Sequence, residues 1–369
     1  MTEAVLFPYR RGGVSKRSSV PTIQDVARLA QTSIASVSYV LNNKDQAISP
    51  ALRQRIVEAV RELGYVRNAV ASGLKGKERG IIAVLVPQFG NEFFTRICVD
   101  VESVARRAGY VVLICNSDES LEQERMILER LVAQRIDGCI LCPVLSGTES
   151  GELLRRHAMP TVVLERPVGT ELPERDFVGH DNRMTGYLAA RTLIEAGHRR
   201  IAFIGWDSPI PNIRHRADGY VDALREAGIE PKPDWMLLGD LTHSEGRRLA
   251  AQLPLGDVTA LVLANHLDLG RGVLMELQAR HIRWPDDLSL ILVGTPEWCD
   301  LVSPALCCIE RPEAEMGRHA ATLLLSKVAD PAYSEPRLVL PVSLRGGQSV
   351  KNISSHYAAR NGGPQQQES

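Results

Sequence analysis

Cys139-Ile-Leu-Cys142 has the spacing of a thiol redox pair or of half a zinc site, and His243 and His266 are side chains that can move protons or ligate metal. None of them acquires the company such chemistry needs. The remaining cysteines, Cys98, Cys115, Cys299, Cys307 and Cys308, supply no second pair at metal-site spacing, and neither histidine stands beside a nucleophile motif. The chain has no G-x-G-x-x-G following a strand, no G-x-x-x-x-G-K-[ST] and no G-x-S-x-G. Catalysis, a resident metal and a cofactor are therefore not expected. Cysteines set in apolar runs such as Gly138–Pro143 read instead as buried strand thiols of a reducing compartment.

The chemistry that remains is ionic. Residues 1–79 hold thirteen Lys or Arg against six Asp or Glu, a net charge of +7, although the whole chain of 369 residues is close to neutral at −1. The rest of the chain is therefore acidic, at −8. A basic head on an acidic body suits binding of a polyanion by the head alone. Met1–Ser19 is polar and basic, with no apolar core segment of a secretory signal, and no apolar stretch approaches the roughly 18 residues of a membrane span. A cytoplasmic protein without a membrane partner is expected.

Short helices must position the head's charges. Thr22 with Asp25 three residues later forms a capping-box pattern, and Ile23, Val26, Ala27 and Ala30 fall on one helical face. Gln31-Thr32 breaks that helix. Ser33 can cap a second, Ile34–Leu41, whose inward stripe is Val37, Val40 and Leu41. Ile34 has two readings, an outward side chain or a staple packed inward. Ser49, with Pro50 after it, begins a third helix that Gly64 ends. Three short helices with a tight break between the first two make a helix-turn-helix, whose second helix enters the major groove of DNA.

The stretches Thr22–Ala30, Ser36–Asn42 and Arg61–Ala69 closely resemble the DNA-binding head of the lactose-repressor/galactose-repressor family, without a gap over about fifty residues. The resemblance implies DNA contacts from Thr22, Ser33, Ile34, Ala35, Ser36, Ser38, Tyr39 and Asn42, with base reading on Ile34 and Ala35. Both are apolar, so contact with thymine methyls is the expected mode. Two departures stand out. Gln31 replaces a common turn glycine, so the turn either has no positive φ or tolerates strain. Tyr39 replaces a common arginine and cannot make a bidentate contact to guanine. The resemblance further implies a hinge helix over Asn68–Lys75, with Asn68, Ala71 and Lys75 at the DNA and Leu74 wedged into the minor groove. Gly73 weakens so short a helix.

From Gly80 onward, apolar runs alternate with amphipathic stretches. The runs are Ile81–Pro87, Tyr110–Asn116, Gly138–Pro143, Thr161–Leu164, Ile201–Trp206, Ala260–Asn265 and Leu288–Gly294. This pattern predicts an α/β body of parallel sheets covered on both faces, long enough for two lobes with a cleft between them. The family resemblance continues through it. It implies a periplasmic-binding-protein-like body with lobes at 80–195 plus 311–332 and 196–310 plus 333–346, and three crossings between them. By matched position, Phe93, Phe94, Asp181, Arg216, Asn265 and His266 would face an effector, and Glu297 or Trp298 would stand in for a family carboxylate that Pro296 displaces. Fewer acceptors beside a retained arginine and an added His266 point to an anionic or less hydroxylated ligand rather than a neutral sugar.

The organisation expected is a basic arm (1–20), a helix-turn-helix domain (21–66), a hinge (67–79), an effector and dimerisation domain (80–346) and a disordered tail (347–369). The function implied is a homodimeric transcriptional regulator of the repressor class. It would bind a roughly palindromic operator under control of a small-molecule effector, a sugar or an anionic metabolite. The competing expectation is a regulator with a degenerate cleft, acting constitutively or through a protein partner.

Overall fold

A computed structural model describes residues 21–41, 48–66, 79–144, 149–167, 174–264 and 267–354. The chain divides into two compact units, residues 1–77 and 78–369.

In the first unit, α1 (Ile23–Leu29) begins with the full capping box: Asp25 N–H donates to the Thr22 hydroxyl, and the Thr22 N–H donates to Asp25 Oδ2 at 2.9 Å. Helix α2 (Ile34–Leu41) starts at Ser33, whose Oγ accepts from Ser36 N–H at 3.1 Å. Helix α3 (Pro50–Leu63) runs from the Ser49 cap to Gly64, which sits at φ +58. Val26, Ala27, Ala30, Val37, Val40, Ile56 and Ala59 close a small core. Gln31 adopts φ +50, so the turn keeps the left-handed backbone that suits glycine and carries the strain. Ile34 is 46% exposed, which excludes the inward staple.

The second unit contains two six-stranded sheets. The chain first builds β1 (Ile81–Val86), α4 (Glu92–Arg107), β2 (Val111–Asn116), α5 (Leu121–Ala133), β3 (Gly138–Leu141), α6 (Glu149–Arg156), β4 (Thr161–Leu164) and β5 (Phe177–His180). It crosses over and forms α7 (Asn182–Glu195), β6 (Ile201–Trp206), α8 (Pro211–Glu226), β7 (Met236–Gly239), α9 (His243–Gln252), β8 (Ala260–Leu263), α10 (Asp268–Ala279), β9 (Ser289–Val293) and β10 (Cys307–Glu310). It returns for α11 (Glu313–Ala329) and β11 (Leu338–Leu340), then crosses again to β12 (Ser343–Arg345). The sheet orders are β11-β5-β4-β3-β1-β2 and β12-β10-β9-β8-β6-β7. Among the described residues, every pairing between these strands is parallel except the edge pair β10–β12.

Three crossings are present: the one after Glu310 falls where expected, and the other two are shifted. Helix α7 belongs to the second lobe, because Ala189, Ala190 and Leu193 pack with Ile201, Phe203 and Tyr220. Strand β11 belongs to the first, because it pairs with β5 and Leu340 joins the core around Ile82 and Phe94. The lobes are therefore divided after His180 and after Leu340 rather than after 195 and 332. Strand β2 is also not covered on both faces: Val111, Leu113 and Ile114 are exposed on this edge strand. Cys139 and Cys142 are fully buried, and burial pushes both thiols well above the ordinary range, which leaves them unreactive.

Candidate nucleic-acid interface and effector cleft

In the head, the residues expected at DNA share the N-terminal end of α2 and the adjoining turn. Ser33, Ile34 and Ala35 are exposed, Ser36, Ser38 and Tyr39 are half-buried, and Thr22 is exposed at the start of α1. The capping hydroxyl of Ser33 also lies 2.9 Å from Ser36 Oγ, so these two serines orient each other. Asn42, Asn68, Ala71, Leu74 and Lys75 lie outside the described residues.

In the body, a cavity lies at the carboxyl ends of the parallel strands, where open α/β sheets bind ligands. Its wall includes Phe93, Phe94, Glu165, Arg166, Asn212, Arg216 and Arg311, and its volume is about 40 Å³. At roughly 10–15 Å³ per water, that is room for about three waters. Phe93 and Phe94 stand at the start of α4, capped by Asn91, with ring centroids 5.1 Å apart in an edge-on arrangement. Arg216 projects from α8. Its position depends on close contact between α7 and α8: Gly186 lies against the Arg216 carbonyl, and Gly219 lies against the Arg183 carbonyl, where a Cβ would approach within 1.8 and 1.9 Å.

Glu165 and Arg166 follow β4 directly. Glu165 sits at φ +60, a left-handed backbone of the kind that clusters at functional sites. Its Oε1 accepts from Asn182 at 3.0 Å and from Asn212 at 2.9 Å, and its Oε2 lies 2.8 Å from His180 Nδ1. Burial alone would raise this carboxyl, but His180, Asn182 and Arg216 outweigh it and hold the group down at about 2. Arg166 is closed onto Glu119 by two hydrogen bonds of 2.7 and 2.8 Å and onto the Val144 carbonyl at 3.1 Å. Arg216 donates from Nε to Asn182 Oδ1 at 2.8 Å.

Several expected cleft residues lie elsewhere. Asp181 caps α7, accepting from Met184 N–H at 2.8 Å, and its neighbour Asn182 joins the buried network instead. Glu297 is exposed in a short 3-10 turn, where its N–H, not its carboxylate, meets Glu92 Oε2 at 3.3 Å. Trp298 packs against the second lobe's core and lines a separate groove with Leu274, Trp284 and Leu301. Asn265 and His266 lie outside the described residues. Sequence reasoning missed Glu165, Arg166, His180, Asn212 and Arg311. For Glu165, Arg166 and Arg311 a partial signal was available, because a charged residue just after a buried parallel strand stands at the crevice, whereas His180 within β5 and Asn212 within α8 carried none.

Among the described residues, no group of three or more His, Cys, Asp or Glu could hold a metal ion, and no helix is long and apolar enough to cross a membrane.

A helix-turn-helix unit followed by a two-lobed, cleft-bearing α/β unit defines a DNA-binding regulator with a ligand-binding body. Residues 22–68 match bacterial regulatory proteins of the lacI family, and residues 190–350 match the periplasmic binding protein-like domain. The HTH-type transcriptional repressor PurR of Aliivibrio salmonicida is 31% identical over 312 residues, spanning 84% of this chain and 92% of that protein. PurR of Vibrio campbellii is 31% identical over 341 residues, 90% of this chain and 99% of that protein. Among solved structures, the transcriptional regulator CelR–cellobiose complex is 28% identical, with a TM-score of 0.68, covering 89% of this chain and 99% of that chain. The lac repressor dimer bound to operator has a TM-score of 0.78 over 90% of this chain and 99% of that one; at 22% identity it supports the fold. The chain belongs to the LacI family: it is a DNA-binding transcriptional regulator and not an enzyme.

Proposed function

We propose that the protein is a cytoplasmic repressor that binds a roughly palindromic operator as a homodimer and changes its affinity when a small molecule fills the cleft. The observation that carries the reading is the buried polar network of Glu165, Asn182, Asn212 and Arg216 across the two lobes. So many desolvated polar groups around a cavity are costly for a purely structural core and suited to recognition of a polar ligand.

The remaining bridges between the lobes are few and long. Arg96 meets Thr295 at 3.5 Å, Glu297 N–H donates to Glu92 Oε2 at 3.3 Å, and Arg271 meets Glu92 at 3.9 Å, with partly exposed side chains. Partly exposed contacts of this kind contribute little, so the buried bonds from Asn182 and Asn212 to Glu165 are what opening about the three crossings must chiefly break. A ligand shifts that equilibrium only through unequal affinity for the two arrangements.

Apolar surface supports the dimer. Val99 on α4 is 68% exposed, the edge strand β2 beside α4 exposes Val111, Leu113 and Ile114, and Leu301 on the second lobe is 85% exposed. Such patches favour burial against a second copy. At the DNA, Ile34 and Ala35 read thymine methyls, and Leu74 of the hinge enters the minor groove.

The small cavity favours one competing reading, a regulator whose cleft is filled by its own side chains and takes no effector. Operator binding by the purified protein, measured with and without fractionated metabolites, separates the two. An effector-controlled repressor changes its affinity with one fraction. A constitutive regulator binds DNA alike with all of them.

A further inference from the structure

We propose that Arg311 and Arg216 together clamp an anionic group of the effector, a carboxylate or a phosphoryl group, over the ring of Phe93, while a hydroxyl or N–H of the same ligand donates to Asn212 Oδ1. This rests on the reading of the cleft as the effector site.

Arg311 directly follows β10 and opens the second crossing between the lobes. It is 5% exposed, and its guanidinium carbon lies 4.2 Å from the Phe93 ring centroid. Its ion pair is with Glu313, Nη2 to Oε1 at 3.3 Å, and its Nε is buried without a hydrogen-bond partner. Arg216 lines the same cavity, with Nε taken by Asn182 and Nη1 reaching the Ala264 carbonyl only at 3.4 Å. The two cations act on each other: burial first, and then the charge of Arg311, push Arg216 down to about 10. Two desolvated arginines on one small cavity repel, and an anion between them removes that repulsion.

The other charged groups on the wall are already engaged. Arg166 is closed onto Glu119. Glu165 is held by His180, Asn182 and Asn212. A neutral polyol needs acceptors as much as donors; Glu119 is closed onto Arg166, Glu165 Oε1 is held by Asn182 and Asn212, and Glu165 Oε2 lies 2.8 Å from His180 Nδ1 without a hydrogen bond. Asn212 Oδ1 is a buried acceptor without a partner. Asn212 and Arg216 stand one turn apart on α8, so both face the cavity. The wall therefore offers two cations, an apolar ring and, among the described residues, only two buried acceptor oxygens without a hydrogen bond, Asn212 Oδ1 and Glu165 Oε2.

The test is a calorimetric titration of the full-length protein at fixed ionic strength with four probes: inorganic phosphate, D-glycerate, glucose and ribose. Arg311→Gln removes the charge. Arg311→Lys keeps Glu313 partnered but removes the planar fork, which guards against misfolding of the first variant. The expected result is saturable binding of phosphate or glycerate and not of the sugars, weakened by about tenfold or more in R311Q and less in R311K. Equal binding by wild type and R311Q places the anion elsewhere and overturns the clamp. Absence of saturable binding by both anions overturns it too. Binding of glucose or ribose in their stead overturns the clamp and leaves the cleft as the effector site. Anion binding that R311Q abolishes but that leaves operator affinity unchanged overturns the effector reading and not the clamp.

Discussion

Arg216 Nε and Asn182 Oδ1 are joined by a 2.8 Å hydrogen bond, and the same Asn182 amide donates to Glu165 Oε1 at 3.0 Å. Asn182 thus links a buried cation to a buried anion across the crossing between the lobes. Replacing it with alanine leaves Arg216 Nε and one Glu165 lone pair without partners. Asn182→Ala is expected to destabilise the body by about 1–3 kcal/mol and to abolish the effector response. Chemical denaturation measures the first effect and operator binding with effector the second.

Glu165 makes stability depend on acidity. Its folded-state pKa, about 2, lies below the ordinary 4.5, so the unfolded chain takes up the proton first. The stabilisation from this carboxylate is fully present above about pH 4.5 and is lost as pH falls toward 2. Glu165→Gln is expected to be less stable than wild type at pH 6–7, with the difference shrinking through that window. Denaturation curves at a series of pH values check it, and a constant difference from pH 6 to pH 3 would contradict the assignment.

Gly219 and Gly186 let α7 and α8 approach closely enough to seat Arg216. A Cβ at Gly219 would lie 1.9 Å from the Arg183 carbonyl, which is backbone and cannot swing aside. Gly219→Ala is expected to cost at least about 2 kcal/mol and to weaken the effector response in whatever protein folds. A thermal melt and an effector titration read the two effects separately.

In the head, fold and recognition are separable. Thr22→Ala removes the α1 cap and is expected to lower the head's stability by about 1 kcal/mol. Ile34→Ala, at a side chain 46% exposed, is expected to leave stability within about 0.5 kcal/mol and to weaken operator binding by about 1 kcal/mol or more. Circular dichroism melts and fluorescence anisotropy with labelled operator distinguish the two.

The head was legible because its determinants are local. Thr22 with Asp25, Ser33, and Ser49-Pro50 with Gly64 name the helix ends within a few residues of where they act. The longer body strands were legible as apolar runs. Short strands were not: β11 is three residues long, and its lobe is set by pairing with β5 about 160 residues earlier in the chain. The cleft was read only in part. The sequence expectation puts Asp181 at the ligand; in the structure its Oδ1 caps α7, a role favoured for an aspartate one residue before a helix. Arg311 and Glu165 carry no motif. They matter because two strand ends from distant parts of the chain converge on Phe93 and Asn212, and spacing along the sequence cannot report that convergence.

The most direct test is selection by the purified full-length protein from a random pool of DNA duplexes, followed by affinity measurements on the enriched and scrambled sequences. The account predicts enrichment of a two-fold-symmetric site, bound far more tightly than its scrambled counterpart and lost together with the Ile34 contact. Salt-dependent binding that enriches no sequence, or enrichment unaffected by changes in α2, would contradict it.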